Sequence, residues 1–279
     1  EYIDKAYYLR LEMDDKEGCM YSLCDLASLA VNQEFDYNKA INYLDSALVI
    51  AKETKSEYTL AYCYIFNAGI YETKGNIKLS EIFVDSAYAV YNKLEYANGQ
   101  INCQLRYGWN QLNKGNFAEG LKIFNEALQV SRNKKLYAKE SECLSAIAQY
   151  QILTSNYNSS FQYLDSSEIL AVKTSNKWNI AGVELLRGNT YNIIGNYKKA
   201  IDYYEIADSV YSDINSEYSR GICNNNIGTI YFFQGDYINA LRYFKKAMDI
   251  YTKNKIEGEV LISTTMNIGE VYSEEGLLE

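Results

Sequence analysis

The sequence predicts an all-α protein: a solenoid of stacked antiparallel helix pairs. Three observations predict it: a strict 40-residue period, the absence of proline, and apolar residues spaced by three and four.

The period shows in several columns at once. Tyr37, Ile77, Phe117, Tyr157, Tyr197 and Tyr237 stand 40 residues apart, each preceded by Asp or Asn. Ile50, Val90, Val130, Leu170, Val210 and Ile250 form an apolar column. Ala47, Ala87, Ala127, Ser167, Ala207 and Ala247 form a column of small residues that lets helices approach closely. Proline is missing from all 279 residues, where average usage would give about 14. Proline breaks helix interiors, so its absence suits a chain that is helical almost throughout. Ala240, Phe244, Ala247 and Ile250 show the spacing that puts apolar side chains on one helical face.

The elements follow from these columns. Gly75, Gly115, Gly195 and Gly235 mark where the first helix of a pair ends, because glycine enters the left-handed conformation just past a helix C-terminus without steric cost. The Asn or Asp that follows can accept from the free N–H groups opening the second helix. Residues 1–16 read as the second helix of a truncated repeat, with Ala6 in the small column. Six repeats follow, at 17–55, 56–95, 96–135, 136–175, 176–215 and 216–255. Residues 256–279 read as the first helix of a further truncated repeat, with Gly269, Tyr272 and Gly276 in their columns. All belong to one solenoid domain. Both ends cut through a pair and no polar capping element is visible, so an excised piece of a longer protein is expected. Leu278-Glu279 reads as a candidate cloning scar. The uncovered last helix is expected to seek a neighbour, which makes homo-oligomerisation through it an expectation.

Composition excludes several function classes. Histidine is absent, which removes Ser-His-Asp and Cys-His catalysis and most zinc sites. The net charge is −9 with Lys and Arg scattered, so no basic face is available for nucleic acid. No apolar run approaches the ~18 residues of a membrane span. Four of the six cysteines, Cys63, Cys103, Cys143 and Cys223, share one column. Successive first helices lie about 10 Å apart, beyond the ~7 Å that a disulfide tolerates, so these are read as core residues. Cys19 and Cys24, five apart, are not expected to share a helical face. Free thiols favour a soluble, cytoplasmic protein, the alternative being a periplasmic domain of a membrane-tethered regulator. The 29 tyrosines are read mainly as core packing, with some on a binding face. Asp14-Asp15 and Glu274-Glu275 read as solvated charge at turns or helix ends. Gly188, Gly195, Gly228 and Gly235 are spaced as helix punctuation, not as a phosphate cradle. The run Asn224-Asn225-Asn226 is unfavourable in mid-helix, so one of its amides is expected to face the core or a ligand. No catalytic constellation, cofactor or metal site is expected, and the chain is not expected to be an enzyme.

These columns resemble the tetratricopeptide repeat family. The best match is Ile227-Gly228, Tyr231, Gly235, Tyr237, Ala240, Phe244 and Ala247; Gly188, Tyr191, Gly195, Tyr197, Ala200, Tyr204 and Ala207 follow, then Gly108, Gly115, Phe117, Phe124 and Ala127. The first two units and the fourth are degenerate, with Ala68 and Ala148 at the first glycine and Ser155 at the second. The resemblance covers essentially the whole chain. It departs from the family in its period, 40 against the usual 34, and in lacking the proline that often closes a repeat. Long repeats of this kind are similar to the sensor regions of bacterial signalling regulators, which sit beside a helix-turn-helix or histidine-kinase output.

The resemblance implies a right-handed α-solenoid whose first helices line a concave groove for a protein or peptide. Mapped by column, the groove residues are Tyr62, Ile65, Asn102, Leu105, Arg106, Trp109, Gln149, Asn189, Asn192, Asn225, Thr229 and Phe232, with Gly69, Glu72, Leu112, Glu142, Ser145, Ile152 and Leu185 beside them. Amides and aromatics with one Arg suit an extended peptide. Asn189 and Asn226 fall in the asparagine columns of the family's carboxylate clamp, but the matching lysines are absent, so a C-terminal carboxylate ligand is not expected. Trp109 is the best candidate anchor, set against simple packing on a neighbouring helix. The expected function is a protein- or peptide-binding module, the sensing or scaffolding region of a larger bacterial regulator. The alternative is a self-assembly unit.

Overall fold

The computed structural model describes residues 2–34, 36–256 and 258–274. Gly276, Glu275 and Leu278-Glu279 lie outside the described residues. Fourteen α-helices and no strand are present among the described residues. They fall into two compact units, Glu1–Lys134 and Lys135–Glu279.

The first unit holds α1 (Tyr2–Glu12), α2 (Lys16–Glu34), α3 (Tyr37–Glu53), α4 (Glu57–Thr73), α5 (Ile77–Lys93), α6 (Ala97–Asn113) and α7 (Phe117–Asn133). The second holds α8 (Tyr137–Leu153), α9 (Tyr157–Lys173), α10 (Lys177–Ile193), α11 (Tyr197–Asp213), α12 (Glu217–Phe233), α13 (Tyr237–Lys253) and α14 (Glu259–Glu274). Within each unit the helices pack as antiparallel pairs, α2 with α3, α4 with α5 and α6 with α7, then α8 with α9, α10 with α11 and α12 with α13. Each pair also touches the next, so each unit is a stack of helical hairpins.

The helices from α3 to α13 are each 17 residues long, with starts recurring at Tyr37, Glu57, Ile77 and onward to Tyr237. Three-residue turns join them, and the middle residue of each is left-handed. Within a pair that residue is Gly75, Gly115, Gly195 or Gly235, at φ between +75° and +81°. In α8–α9 it is Ser155, at φ +61°. Between pairs the same conformation falls on residues with side chains, among them Lys55, Glu95, Ser175 and Asn215. Most of the turns are closed by the same hydrogen bond: the Asn76 N–H donates to the Tyr71 carbonyl at 2.8 Å, and the Tyr96 N–H to the Tyr91 carbonyl at 2.9 Å. At the Lys55 turn the Ser56 N–H donates instead to the Thr54 hydroxyl at 3.3 Å. α14 starts later than the period predicts, because Gly258 holds φ +92° where a helix would need a negative value.

Four of the six predicted caps form: Asp36, Asn76, Asn196 and Asp236 accept from the backbone N–H three residues on, at 2.9, 3.2, 3.3 and 3.1 Å. Asn116 and Asn156 do not cap. Their amides donate instead to Gln111 at 2.9 Å and to Thr154 at 3.0 Å. Asp15, read as surface charge, accepts from the Gly18 N–H at 2.9 Å and so helps open α2.

The small column is fully buried at Ala47, Ala87, Ala127, Ser167, Ala207 and Ala247. Ser167 and Ser141 exchange hydroxyl-to-carbonyl bonds at 2.8 and 3.0 Å, tying α9 to α8. The repeats read as degenerate are packed by a different size rule. Where the first-helix column is glycine, an aromatic ring from the second helix fills the space: a Cβ added to Gly108, Gly188 or Gly228 would meet Phe124, Tyr204 or Phe244 at 2.2, 2.5 or 2.6 Å. Where that column is Ala68 or Ala148, the partner column carries the smaller Val84 or Leu164, both fully buried. All six cysteines are buried. Cys19 and Cys24 are both in the core, and Cys24 lies against Cys63 on α4.

Candidate peptide-binding groove

In the first unit, the first helices α2 and α4 lie side by side, and α6 reaches α4 through an ion pair. The Arg106 Nη1 on α6 donates to the Glu72 Oε2 on α4 at 2.6 Å. Beside it, Gly69 leaves the α4 backbone bare: an added Cβ would stand 3.0 Å from the Arg106 Nη2. These residues close one side of a pocket of about 350 Å3, whose other walls are Ser28 and Val31 of α2 and Ile65, Phe66, Ile70 and Thr73 of α4. The Thr73 hydroxyl donates to the Gly69 carbonyl at 2.9 Å. Tyr62, one turn back on α4, sets its ring edge-on to Tyr21 at 5.0 Å and against Phe66 at 5.3 Å. Burial pushes its hydroxyl up to about 12, so it stays protonated.

The pocket thus brings together Ile65 and Arg106, with Gly69 and Glu72, out of the residues the sequence assigns to a groove. Asn102 and Leu105 are half-buried on α6. Trp109 is half-buried and leans its ring on Phe124 of α7, with centroids 5.1 Å apart.

In the second unit the predicted groove residues are largely engaged with neighbouring helices. The Tyr204 hydroxyl donates to the Asn189 Oδ1 at 2.8 Å. The Asn225 Oδ1 accepts from the Thr264 hydroxyl at 3.1 Å and the Asn267 amide at 3.0 Å, which joins α12 to α14. The Thr229 hydroxyl turns back to the Asn225 carbonyl at 2.9 Å. Phe232 sits between the rings of Phe233 and Tyr237, at 5.7 and 5.8 Å. Asn192 is half-buried and Gln149 is exposed. Of the three consecutive amides, Asn224 is the one turned into the core, where it donates to the Arg220 carbonyl at 2.8 Å while its own carbonyl oxygen has no partner.

Sequence reasoning missed a charged cluster between α9 and α10. Arg187, 7 % exposed, holds the carboxylates of Glu184, Asp165 and Glu168 at 2.9, 2.7 and 2.8 Å. Burial pushes the Glu184 carboxyl up, with Arg187 pulling it back. The signal was present: Glu184 and Arg187 occupy columns that hold Leu144 and Ile147 one repeat earlier. Among the described residues no group of three or more Asp, Glu, Cys or His side chains could hold a metal ion, and no helix is long and apolar enough to cross a membrane. Burial pushes the Cys103 and Cys223 thiols up to about 12, away from the thiolate form that does chemistry.

A tetratricopeptide repeat family model matches residues 179–253. No curated protein matches the sequence. Among solved structures, the chain is similar to a signal-transduction ATPase with numerous domains that carries a tetratricopeptide repeat sensor, from Pyrococcus horikoshii, at 18 % identity and a TM-score of 0.59 over 97 % of this chain. The match spans 41 % of that ATPase. A Rap protein complexed with competence and sporulation factor is similar at 11 % identity and a TM-score of 0.63, over 95 % of this chain and 77 % of that one. NprR in complex with its cognate peptide NprX is similar at 15 % identity and a TM-score of 0.55, over 93 % and 74 %. In sequence over residues 179–253, and in fold along the described helices, the chain resembles the tetratricopeptide repeat family.

Proposed function

We propose that this chain is a protein- or peptide-binding module without turnover, the sensing or scaffolding region of a larger bacterial regulator. The observation that carries the reading is the α2–α4–α6 pocket, where an apolar wall meets a guanidinium at the edge of bare backbone. Such a wall takes up side chains, while the guanidinium answers peptide carbonyls. The Rap and NprR structures, each with a bound factor or peptide, support the same use of this fold. Phage display of random peptides on the purified chain, followed by calorimetry, tests it. Saturable one-to-one binding is expected, and a chain that folds yet selects no peptide refutes the reading.

A second reading, self-assembly, rests on α14. Ile262 and Met266, one turn apart, are 60 % and 61 % exposed. If that face docks on another copy, Ile262→Asp will lower the mass measured by light scattering; a native chain that is monomeric at high concentration rules it out.

A further inference from the structure

We propose that the α2–α4–α6 pocket is a specificity pocket for one uncharged aliphatic side chain of an extended peptide, with Gly69 setting its depth. This rests on the peptide-binding reading above. In the repeats that follow, the column of Gly69 carries Trp109, Gln149, Asn189 and Thr229. In this repeat the column holds glycine, and the Arg106 guanidinium lies over it at the wall of the cavity, 3.0 Å from where a Cβ would stand.

The occupant follows from the lining. Val31, Ile65 and Phe66 present carbon, so the entering group gains by leaving water. The charged rim is internally balanced, because Glu72 already holds the Arg106 Nη1 at 2.6 Å. A carboxylate or ammonium brought inside would lose its hydration and find no free counter-charge, which is costly at a half-buried site. A neutral peptide carbonyl loses little and can accept from the guanidinium edge at Nη2, which faces the bare Gly69 backbone. The volume, about 350 Å3, is near the low end for ligand pockets of roughly 300–1,000 Å3, which suits one side chain with its flanking peptide unit.

The test uses a phage-displayed library of random dodecapeptides selected on the full chain, with affinities read by fluorescence anisotropy. Selected peptides are expected to share one aliphatic position, and replacing it by Asp is expected to weaken binding at least about tenfold. Gly69→Leu, which fills the pocket from its own wall, is expected to weaken the same peptides at least about tenfold while the thermal melt stays cooperative. Peptides that bind native and Gly69→Leu chains equally, or that share an acidic or basic position instead, overturn the pocket assignment and leave the binding-module reading standing. A library that yields no binder overturns both. If Gly69→Leu does not fold, the Asp substitution in the peptide decides the matter alone.

Discussion

Gly228 and Phe244 share one volume in the core of the α12–α13 pair: the ring fills the place where a Cβ would be, 2.6 Å away. Adding the methyl group of alanine there overpacks a fully buried site, so Gly228→Ala is expected to cost about 1–3 kcal/mol by urea unfolding. The chain contains the compensated version of the same contact, Ala148 with Leu164. Gly228→Ala combined with Phe244→Leu is therefore expected to be less destabilising than the two single costs added, with a coupling of roughly 0.5–3 kcal/mol. Additive behaviour would sink the exchange rule. At Ser155 the opposite correction is available. Its φ of +61° is a conformation that costs a side chain about 1–2 kcal/mol, partly offset by the entropy a glycine would lose. Ser155→Gly, which restores the residue of the sister turns, is expected to raise stability by about 0.5–1 kcal/mol, read from the shift in the urea midpoint.

At the scale of an element, α10 departs from its sister helices by burying Glu184 and Arg187 where α8 has Leu144 and Ile147. Removing one partner of a buried ion pair strands the other, so Arg187→Ile is expected to cost about 3–5 kcal/mol. Glu184→Leu with Arg187→Ile copies the α8 solution and is expected to be neutral or stabilising. The pH dependence follows from the burial of Glu184. Its folded carboxyl titrates higher than the unfolded one, so the folded state binds that proton more tightly. Its contribution is present below the unfolded value, about 4.3, and is lost as pH rises through the raised folded value. Glu184→Gln removes this loss, so its stability relative to the native chain is expected to be higher at pH 7 than at pH 4 in parallel urea melts. Helices and turns were legible in the sequence because period and glycine report backbone geometry directly. The Glu184–Arg187 cluster was not, because periodic reading looks for what recurs and passes over what replaces it. The pocket was half legible. Ile65, Gly69, Glu72 and Arg106 stand in columns facing away from the packing signature, whereas Ser28 and Val31 enter from the helix before, a relation between repeats that no single column contains.

At the scale of the whole chain, packing within each unit runs from a helix to its immediate neighbours and to the next helix of its own kind. Stability in such a stack is close to a sum of repeat and nearest-neighbour terms. Damage is therefore expected to stay local. With Gly228→Ala in α12, amide exchange measured by mass spectrometry should accelerate in α12 and α13 and remain unchanged in α4 and α5. Acceleration spread evenly over all helices would show a single cooperative block instead.

The turns carry a last consequence. The loop inside a hairpin and the loop between hairpins have the same length and the same left-handed middle residue, and at Asn76 and Tyr96 they share the same closing bond. The backbone conformation therefore barely marks where a hairpin begins; the glycine that occupies the left-handed position at Gly75, Gly115, Gly195 and Gly235 tells one seam from the other. Anyone transplanting these modules can cut at either seam, provided that both halves of each ring-and-gap match travel together.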